Sequence, residues 1–410
     1  MKLYPRNLFD QILPKLDGKE AIFIFGARQC GKTTLLRQLM HELGEAKSLY
    51  IDIEYPETQT AFRKGISEVL KYLRYHRKSG TGRTFVFIDE VQYISDLSQT
   101  IKLLVDHHAD EFKLVMTGSS SALIKHQFRE SLVGRKHIFE LYPLSFDEFL
   151  RFKEEGSLTE YILTSPEALP VSEIKRLAAL AEEYILFGSF PKLVLTPETD
   201  GKRAILLDLV SSSLIKDLKH LFQIEKMDNL NHLIRYLAVN IGREISLNAL
   251  ATEVGLHRET LSNYLMILEE SYIIKILKPF YSNLSTELRK SPKVYFVDTG
   301  IRNVLLPNFN GLESRVDRGS LFENFVYLNL FHTADPFTEI RYWRTRNKQE
   351  VDFVVKRENV LRAYECKFSG GKSVSWRAFL NAYPQAERRT VVLNNADQTA
   401  NEMYGWQKLL

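Results

Sequence analysis

The feature that most constrains this chain is a phosphate-loop pattern near its beginning. An apolar segment at 21–25 (AIFIF) leads directly into GARQCGKT, which matches GxxxxGK[ST], and residues 33–43 have the spacing of a helix. Glycines at both ends of such a loop let the backbone wrap around an anion, and the amide groups point inward at the helix N-terminus. A chance glycine-rich turn is the alternative, but the complete motif between a strand and a helix favours phosphate binding.

The residues of this loop have distinct expected roles. Lys32 supplies a positive charge for the β- and γ-phosphates, and the hydroxyl of Thr33 is expected to bind Mg²⁺. ATP and Mg²⁺ are therefore the predicted cofactors. Cys30 lies inside the loop, so we expect bound MgATP to shield its thiol from alkylation. The predicted nucleotide-binding residues are Gly26, Ala27, Arg28, Gln29, Cys30, Gly31, Lys32, Thr33 and Thr34.

Acidic and polar residues follow two further strand candidates. Open α/β sheets bind ligands at the carboxyl ends of their strands. Asp89 is accordingly predicted to hold magnesium, and Glu90 to orient or deprotonate the attacking water; a solvated acidic turn is the alternative. The strand at 113–117 runs into a serine-rich stretch. Ser119 is predicted either to contact the γ-phosphate or the water, or to cap the next helix.

Five strand candidates occur in the first part of the chain, at 21–25, 48–53, 84–88, 113–117 and 137–141. Helical patterns lie between the first four. Strands that alternate with helices predict a parallel sheet covered on both faces, so the expected fold class is α/β.

These motifs together resemble the AAA-type ATPases of bacteria and archaea that carry an appended C-terminal domain of uncharacterised function. The stretches that carry the resemblance are GARQCGKT, FIDEVQYI, MTGSSS, GRKHIFELYPLSFDEFL, GSFPKLV, KVYFVDTGI, LFENFVYLNL, EVDFVV and AYECKFS. The resemblance implies a P-loop NTPase fold with a five-stranded parallel sheet, in which the P-loop strand lies beside the neighbour of the strand ending in Asp89. A helical lid would follow.

The same resemblance implies a role for Arg135 as an arginine finger. Such an arginine stabilises charge on the transferring phosphoryl group, often from a neighbouring subunit. A finger that acts on a neighbour would require a homo-oligomer. A surface or ion-paired arginine is the alternative.

Residues 244–268 resemble a helix-turn-helix, with Ser246 as the predicted N-cap and Gly255 in the turn. Strands at 272–277 and 293–297 would add a wing, which makes a winged helix. Arginine and lysine would contact DNA phosphates and asparagine a base edge, whereas a lid or docking surface without DNA contact is the alternative. The second helix would present His257, Arg258, Ser262 and Asn263. The residues near the tip of the wing would be Arg289, Lys290 and Lys293.

The last part of the chain carries acidic and basic residues in an order that resembles the PD-(D/E)xK nuclease fold. Glu323 lies on a helix predicted at 319–333, Asp352 on a strand, and Glu365 and Lys367 on one face of the next strand. Asp352 and Glu365 would bind Mg²⁺ or Mn²⁺ with support from Glu323, and Lys367 would orient or deprotonate water. The residues expected near a nucleic-acid backbone are Trp343, Arg344 and Arg346. An inactive binding module is the alternative.

A chain of 410 residues exceeds one ordinary domain. The predicted domains are an ATPase core (1–155), a helical lid (156–240), a winged helix (241–300) and an α/β nuclease-like domain (301–410). The functional hypothesis is an ATP-hydrolysing enzyme coupled to a DNA-associated, nucleolytic C-terminal domain. The alternative is a regulatory or remodelling ATPase switch whose end domain binds a protein partner.

The composition argues against a membrane protein and against a disulfide-rich protein, and it excludes little else. The first 200 residues carry 26 Lys and Arg against 28 Asp and Glu, and the remainder carries 29 against 23, a mild bias that allows a polyanion partner for the second half. No apolar run reaches the ~18 residues of a membrane helix. Cys30 and Cys366 lie too far apart to suggest a disulfide framework. We therefore expect a cytoplasmic protein without membrane association.

Overall fold

A computed structural model provides the structure of this chain. It describes residues 2–78, 82–94, 97–119, 132–164, 169–214, 218, 226–280, 291–345, 347–369, 376–394, 402–407 and 409. The chain divides into two compact units, Met1–Pro143 with Glu270–Tyr272, and Leu144–Glu269 with Ile273–Leu410. The finer division into four domains stays a prediction.

The first unit is built on a five-stranded parallel sheet. Its strands are β1 (Ala21–Gly26), β2 (Ser48–Asp52), β3 (Thr84–Asp89), β4 (Phe112–Ser119) and β5 (Lys136–Leu141). Their spatial order is β2-β3-β4-β1-β5. The five predicted strands are thus confirmed, and β1 lies beside β4, the neighbour of β3, as the resemblance implied.

Helices connect these strands. They are α1 (Asn7–Ile12), α2 (Lys32–Leu43), α3 (Pro56–Arg63), α4 (Ile66–His76) and α5 (Leu97–His108), with short 3-10 turns at Leu13–Lys15, Glu45–Lys47 and Val91–Tyr93. Every residue of β1 and β4 is buried, as expected for parallel strands with both faces covered. Because all five strands run in one direction, the segments that follow β1, β3 and β4 meet at one edge of the sheet.

The second unit begins with helices, where the sequence predicts a helical region. They are α6 (Phe146–Phe152), α7 (Gly156–Thr164), α8 (Val171–Phe187), α9 (Pro191–Val194), α10 (Thr199–Asp208), a π-helical turn at Leu209–Leu214, α11 (Met227–Val239), α12 (Leu247–Glu253) and α13 (Arg258–Glu270). Ser145 and Glu148 form a capping box at the start of α6. Pro191 begins α9, because proline has no amide hydrogen to lose at the first helical position.

A two-stranded sheet and a five-stranded sheet follow in the described part of this unit. Strands β6 (Ile274–Leu277) and β7 (Lys293–Phe296) pair antiparallel. The sheet that follows has the order β12-β11-β10-β9-β8 and is mixed: β8, β9 and β10 are antiparallel, whereas β10, β11 and β12 are parallel. Its elements are α14 (Thr299–Leu305), a 3-10 turn at Leu312–Ser314, α15 (Arg318–Thr333), β8 (Thr338–Arg344), β9 (Glu350–Arg357), β10 (Val360–Ser369), α16 (Arg377–Ala382), β11 (Glu387–Asn394) and β12 (Glu402–Tyr404).

A buried carboxylate ties α14 to the end of α8. Asp298 accepts hydrogen bonds from the amide nitrogen of Ser189 at 2.6 Å and from that of Ile301 at 3.0 Å. A Cβ at Gly188 would lie 2.1 Å from Asp298 Oδ1, so only glycine fits there. Burial raises the pKa of Asp298 to about 6 although these hydrogen bonds lower it. The stretches GSFPKLV and KVYFVDTGI therefore meet where the Asp298 carboxylate contacts the backbone of Gly188 and Ser189.

Candidate functional site: the P-loop and its acidic partner strand

The loop after β1 has the conformation of an anion-binding turn. A Cβ at Gly26 would lie 2.3 Å from the carbonyl oxygen of Leu141, so the close approach of β5 requires glycine. Gln29 (φ 61°) and Gly31 (φ 101°) both have left-handed backbone conformations, and α2 begins immediately after Gly31. The loop thus turns sharply into the helix N-terminus, where amide groups and the helix dipole favour phosphate.

The Lys32 side chain folds back over this loop. Its ammonium donates to the carbonyl oxygens of Gly26 and Ala27, each at 3.1 Å, and the residue is 5% exposed. The charge is therefore held at the centre of the turn by backbone oxygens of the loop itself. Such contacts can be exchanged for phosphate oxygens, which are stronger partners because they are charged.

Asp89 lies at the end of β3, and its carboxylate accepts hydrogen bonds from three hydroxyl groups. Its Oδ2 accepts from Thr33 Oγ1 at 2.6 Å and from the Tyr50 hydroxyl at 2.9 Å, and its Oδ1 accepts from Thr117 Oγ1. Burial and the charge of Asp89 raise the pKa of the Tyr50 phenol, so Tyr50 stays a donor. The Asp89 carboxylate therefore contacts Thr33, the residue of α2 that the motif assigns to magnesium.

Glu90 follows in a left-handed conformation, with φ 58° and ψ 51°. Such a conformation is uncommon for a residue other than glycine and costs about 1–3 kcal/mol. The Glu90 amide donates to Thr117 Oγ1 at 3.4 Å, and its carboxylate accepts from the Gln92 side-chain amide. Gln92 in turn accepts from the amide of Ser119 at 3.1 Å. The acidic pair is thus fixed to the end of β4.

Sequence reasoning missed Thr117, Tyr50 and Gln92. It favoured Ser119, which is 4% exposed and pairs in register with Gly26, so it lies beside the P-loop strand. The contacts that β4 makes with Asp89 and with the Glu90 amide come instead from Thr117. Alternation along a strand places Thr117 on the same face as Ser119, and this signal could have identified it. Ser119 as the phosphate or water contact stays a prediction.

Arg135 lies at the opposite edge of the sheet. It precedes β5, and its carbonyl oxygen accepts from the amide of Ala21 at the start of β1. Its guanidinium pairs with Asp106 near the end of α5 and is 39% exposed. With ~3.3 Å per residue, the length of β5 separates it from the P-loop edge by about 20 Å. The structure does not bring Arg135 to the P-loop of its own chain, and a role on a neighbouring subunit stays a prediction.

Cys30 differs from expectation, because its thiol lies beneath the loop. The residue is 0% exposed, and a Cβ at Gly26 would lie 3.0 Å from its Sγ. Burial raises the pKa of the thiol. The expectation of an accessible thiol that bound nucleotide protects is wrong, since the loop itself covers the sulfur. The carbonyl oxygen of Cys30 accepts a hydrogen bond from Arg6 Nη1 at 2.7 Å, and this contact helps to fix the loop.

Two helices, α12 and α13, lie where the sequence predicts a helix-turn-helix, and the winged helix itself stays a prediction. Ser246 caps α12 by accepting from the Ala249 amide at 3.4 Å, and Gly255 has φ 65° in the turn. The four polar residues predicted for the exposed face, His257, Arg258, Ser262 and Asn263, are exposed. Two of the basic residues assigned to the wing, Arg289 and Lys290, lie outside the described residues.

Four residues expected to contact nucleic acid in the second unit either have other contacts in the structure or lie outside the described residues. Lys293 is 1% exposed and ion-paired with Glu323 and Glu350, so its assignment to a solvent-exposed wing is wrong. Trp343 is 6% exposed and packs against Phe379 in an apolar cluster. Arg344 pairs with Glu244 and Glu350. Arg346 lies outside the described residues.

The C-terminal acidic residues lie near one another. Glu323 projects from α15, Asp352 lies on β9, and Glu365 and Lys367 lie on β10. Burial and the charges of Glu323 and Glu365 raise the pKa of Asp352 well above its usual range. Lys367 donates to Glu365 Oε1 at 2.9 Å. Within the described residues, however, no group of three or more His, Cys, Asp or Glu side chains is arranged to hold a metal ion.

Three family models match successive parts of this chain. Residues 18–150 match the family model described as "AAA domain". Residues 178–311 and 318–407 match two further families, each described as a domain of unknown function (DUF8612 and DUF4143). Among the described helices, none combines the length and the apolar character that a membrane span requires.

Curated relatives are similar over most of the chain. An uncharacterised protein of Methanocaldococcus jannaschii, MJ1544, is 27% identical over 342 residues, which are 82% of this chain and 72% of the relative. An uncharacterised protein of Haemophilus influenzae is 23% identical over 371 residues, which are 88% of this chain and 86% of the relative.

Two of the solved structures to which this chain is similar are described here. The Walker-type ATPase PABY2304 of Pyrococcus abyssi has a TM-score of 0.47 and 15% identity, and covers 74% of this chain and 96% of its own. The Thermotoga maritima RuvB Holliday junction branch migration motor has a TM-score of 0.33 and 16% identity, and covers 66% and 89%. Both scores are below 0.5, so the sheet order and the matched family define the fold. The first unit thus has a P-loop NTPase fold, and residues 18–150 are similar to the family described as "AAA domain", while residues 178–311 and 318–407 are similar to families of unknown function.

Proposed function

We propose that the P-loop domain binds ATP with Mg²⁺ and hydrolyses it. The observation that carries this proposal is the convergence of Lys32, Thr33 and Asp89 at one sheet edge, with Thr33 Oγ1 and Asp89 Oδ2 2.6 Å apart. A hydroxyl and a carboxylate are oxygen ligands of the kind that Mg²⁺ prefers, so the residues present fit this metal. Thr33 and Asp89 would hold it, directly or through water.

The remaining residues of the site have roles that follow from their contacts. Lys32 would exchange the carbonyl oxygens of Gly26 and Ala27 for phosphate oxygens. Glu90 would orient the attacking water and accept its proton, while Thr117 keeps Asp89 and Glu90 in register with β4. When bound, MgATP supplies the phosphoryl group that passes to water and the metal charge that stabilises the transfer.

Replacing Lys32 by alanine tests this proposal. The variant loses charge-assisted hydrogen bonds worth about 2–3 kcal/mol, so we expect ATP affinity to fall about 30- to 150-fold and phosphate release to disappear at moderate ATP. Phosphate release and nucleotide binding are measured side by side. Lys64→Ala, which removes an exposed lysine of the same unit, is the matched control. Unchanged ATP affinity in a folded Lys32→Ala protein would contradict the assignment of the P-loop.

The second unit supports a further proposal, contact with DNA through α13. His257 directly precedes this helix, and its exposed residues include Arg258, Glu259, Ser262 and Asn263. The antiparallel pair β6–β7 follows along the chain and would form the wing of a winged helix. Arginine would bind a phosphate and asparagine a base edge. An ATPase switch that uses this face to bind a protein partner is the alternative, and assembly into a homo-oligomer fits either.

The DNA proposal is tested by fluorescence anisotropy with a labelled duplex at low salt. We expect binding that weakens as salt rises, and Arg258→Ala should weaken it about 5- to 30-fold, equivalent to about 1–2 kcal/mol. Lys175→Ala on α8 removes an exposed charge elsewhere in the unit and should have little effect. No binding at low salt, or equal losses in the two variants, would reject α13 as the DNA surface and favour the protein-binding alternative.

A further inference from the structure

A buried lysine lies inside the carboxylate cluster of the second unit. Lys293 begins β7, and its side chain is 2% exposed. Its ammonium lies 3.0 Å from Glu323 Oε1 and 2.5 Å from Glu350 Oε1, and 5.3 Å from the centre of the Tyr342 ring. Two carboxylate oxygens within ion-pair distance favour the charged form of this lysine.

The oxygens around this ammonium already have partners. Glu323 Oε1 also accepts from the Tyr295 hydroxyl at 2.5 Å. Asp352 Oδ2 accepts from the Cys366 amide at 2.7 Å, and Glu350 Oε2 pairs with Arg344 at 3.1 Å. A divalent ion bound here would have to displace several of these contacts and to lie beside an ammonium of the same sign.

Only one oxygen of the cluster is described as buried without a hydrogen-bond partner, Glu365 Oε2. The other oxygen of that carboxylate accepts from Lys367 at 2.9 Å. Among the described residues, no group of three or more carboxylate, imidazole or thiol side chains is arranged to hold one ion, whereas Mg²⁺ and Mn²⁺ take about six oxygen ligands in near-octahedral geometry. The residues present therefore do not fit the metal that the PD-(D/E)xK resemblance implies.

We propose that the Lys293 ammonium is the resident cation of the Glu323–Glu350–Asp352 cluster and takes the place of a divalent metal. The C-terminal region then acts as a binding module rather than as a metal-dependent nuclease. Lys293 lies on β7, whereas the acidic residues of the cluster lie later in the chain. The fold therefore brings the lysine and the carboxylates together. The cluster is partly open to solvent, because the Glu323, Glu350 and Glu365 side chains are 15%, 25% and 13% exposed. The lysine therefore holds a position that an ion from solvent could otherwise reach.

Titration of the nucleotide-free full chain with Mn²⁺, followed by the electron paramagnetic resonance signal of free Mn²⁺, tests this proposal. Wild type and Asp352→Ala should bind the same amount, since the cluster takes no metal in either. Lys293→Met keeps the length of the side chain and removes its charge. It should gain one Mn²⁺ per chain, lose it again in the Lys293→Met/Asp352→Ala double variant, and unfold at a higher temperature when Mn²⁺ is added.

Lys175→Met, at an exposed lysine of the same unit, is the matched control and should gain no metal. A wild-type Mn²⁺ site that Asp352→Ala removes would overturn the proposal, as would Mn²⁺-dependent DNA cleavage that Asp352→Ala abolishes. A folded Lys293→Met protein that gains no Mn²⁺ would overturn it too. If Lys293→Met fails to fold, the comparison of wild type with Asp352→Ala still decides. The P-loop is unchanged in every protein compared, so the outcome is independent of ATP hydrolysis.

Discussion

Replacing Glu90 by glutamine is expected to reduce ATP hydrolysis about 10²- to 10⁴-fold while ATP binding stays close to wild type. Glutamine has nearly the same shape but cannot accept a proton from water. The left-handed backbone at Glu90 and its hydrogen bond from Gln92 should tolerate the change, because a side-chain oxygen remains to accept it. Phosphate release under saturating MgATP gives the turnover, and equilibrium titration gives the affinity.

The matched control for this prediction is Glu42→Gln, at an exposed glutamate near the end of α2. It should keep full activity. A Glu90→Gln protein that hydrolyses ATP within about threefold of wild type would show that another group activates the water, since loss of a general base costs far more.

Replacing Asp317 by asparagine is expected to destabilise the second unit by about 2–4 kcal/mol at neutral pH. Asp317 pairs with Arg302 at 2.5 Å and with Arg315 at 2.8 Å, and both arginine side chains are no more than 3% exposed. Asparagine keeps the volume but leaves two buried guanidinium groups without a carboxylate. Because Asp317 is partly exposed, we expect a smaller loss of folding stability than for a fully buried ion pair. Scanning calorimetry of wild type and variant measures it.

The same contact predicts how the loss depends on pH. Burial alone would raise the pKa of Asp317, but the hydrogen bonds and charges of Arg315 and Arg302 lower it to about 2, compared with 3.8 when unpaired. A carboxylate with a lowered pKa in the folded state contributes stability that is present above pH ~4 and is lost as the pH falls toward 2. The difference between wild type and Asp317→Asn should therefore be full at pH 7 and 5 and smaller at pH 3.

Asp200→Asn provides the comparison, because Asp200 pairs with Arg203 while its side chain is 94% exposed. Exposed pairs contribute little, so a change below about 1 kcal/mol is expected. Equal effects of the two substitutions, or a loss in Asp317→Asn that is the same at pH 3 and pH 7, would contradict the buried network.

The sequence predicted much of the fold because the information is local. Buried parallel strands are short apolar runs, and the glycine pattern after β1 fixes the strand–loop–helix unit. The two strands predicted to carry Asp352 and Glu365 are present as β9 and β10.

The candidate sites were less predictable where residues meet over long distances along the chain. Thr117 reaches Asp89 across 28 positions, and Lys293 reaches Glu323 across 30. No motif joins such pairs, so Lys293 was assigned to a basic wing when it is buried among carboxylates. Cys30 was expected to be accessible because it lies in a loop motif. Whether a loop side chain faces ligand or core depends on packing from other segments, here Arg6 and Gly26.

The central claim is that the P-loop and the β3 acids form one MgATP site, and isothermal titration calorimetry of the full chain tests it most directly. A non-hydrolysable ATP analogue is titrated into folded protein with excess Mg²⁺, and again with the metal chelated. We predict saturable heat for one nucleotide per chain and a clear loss of affinity without Mg²⁺. No heat of binding from a folded protein at about millimolar nucleotide would contradict the claim.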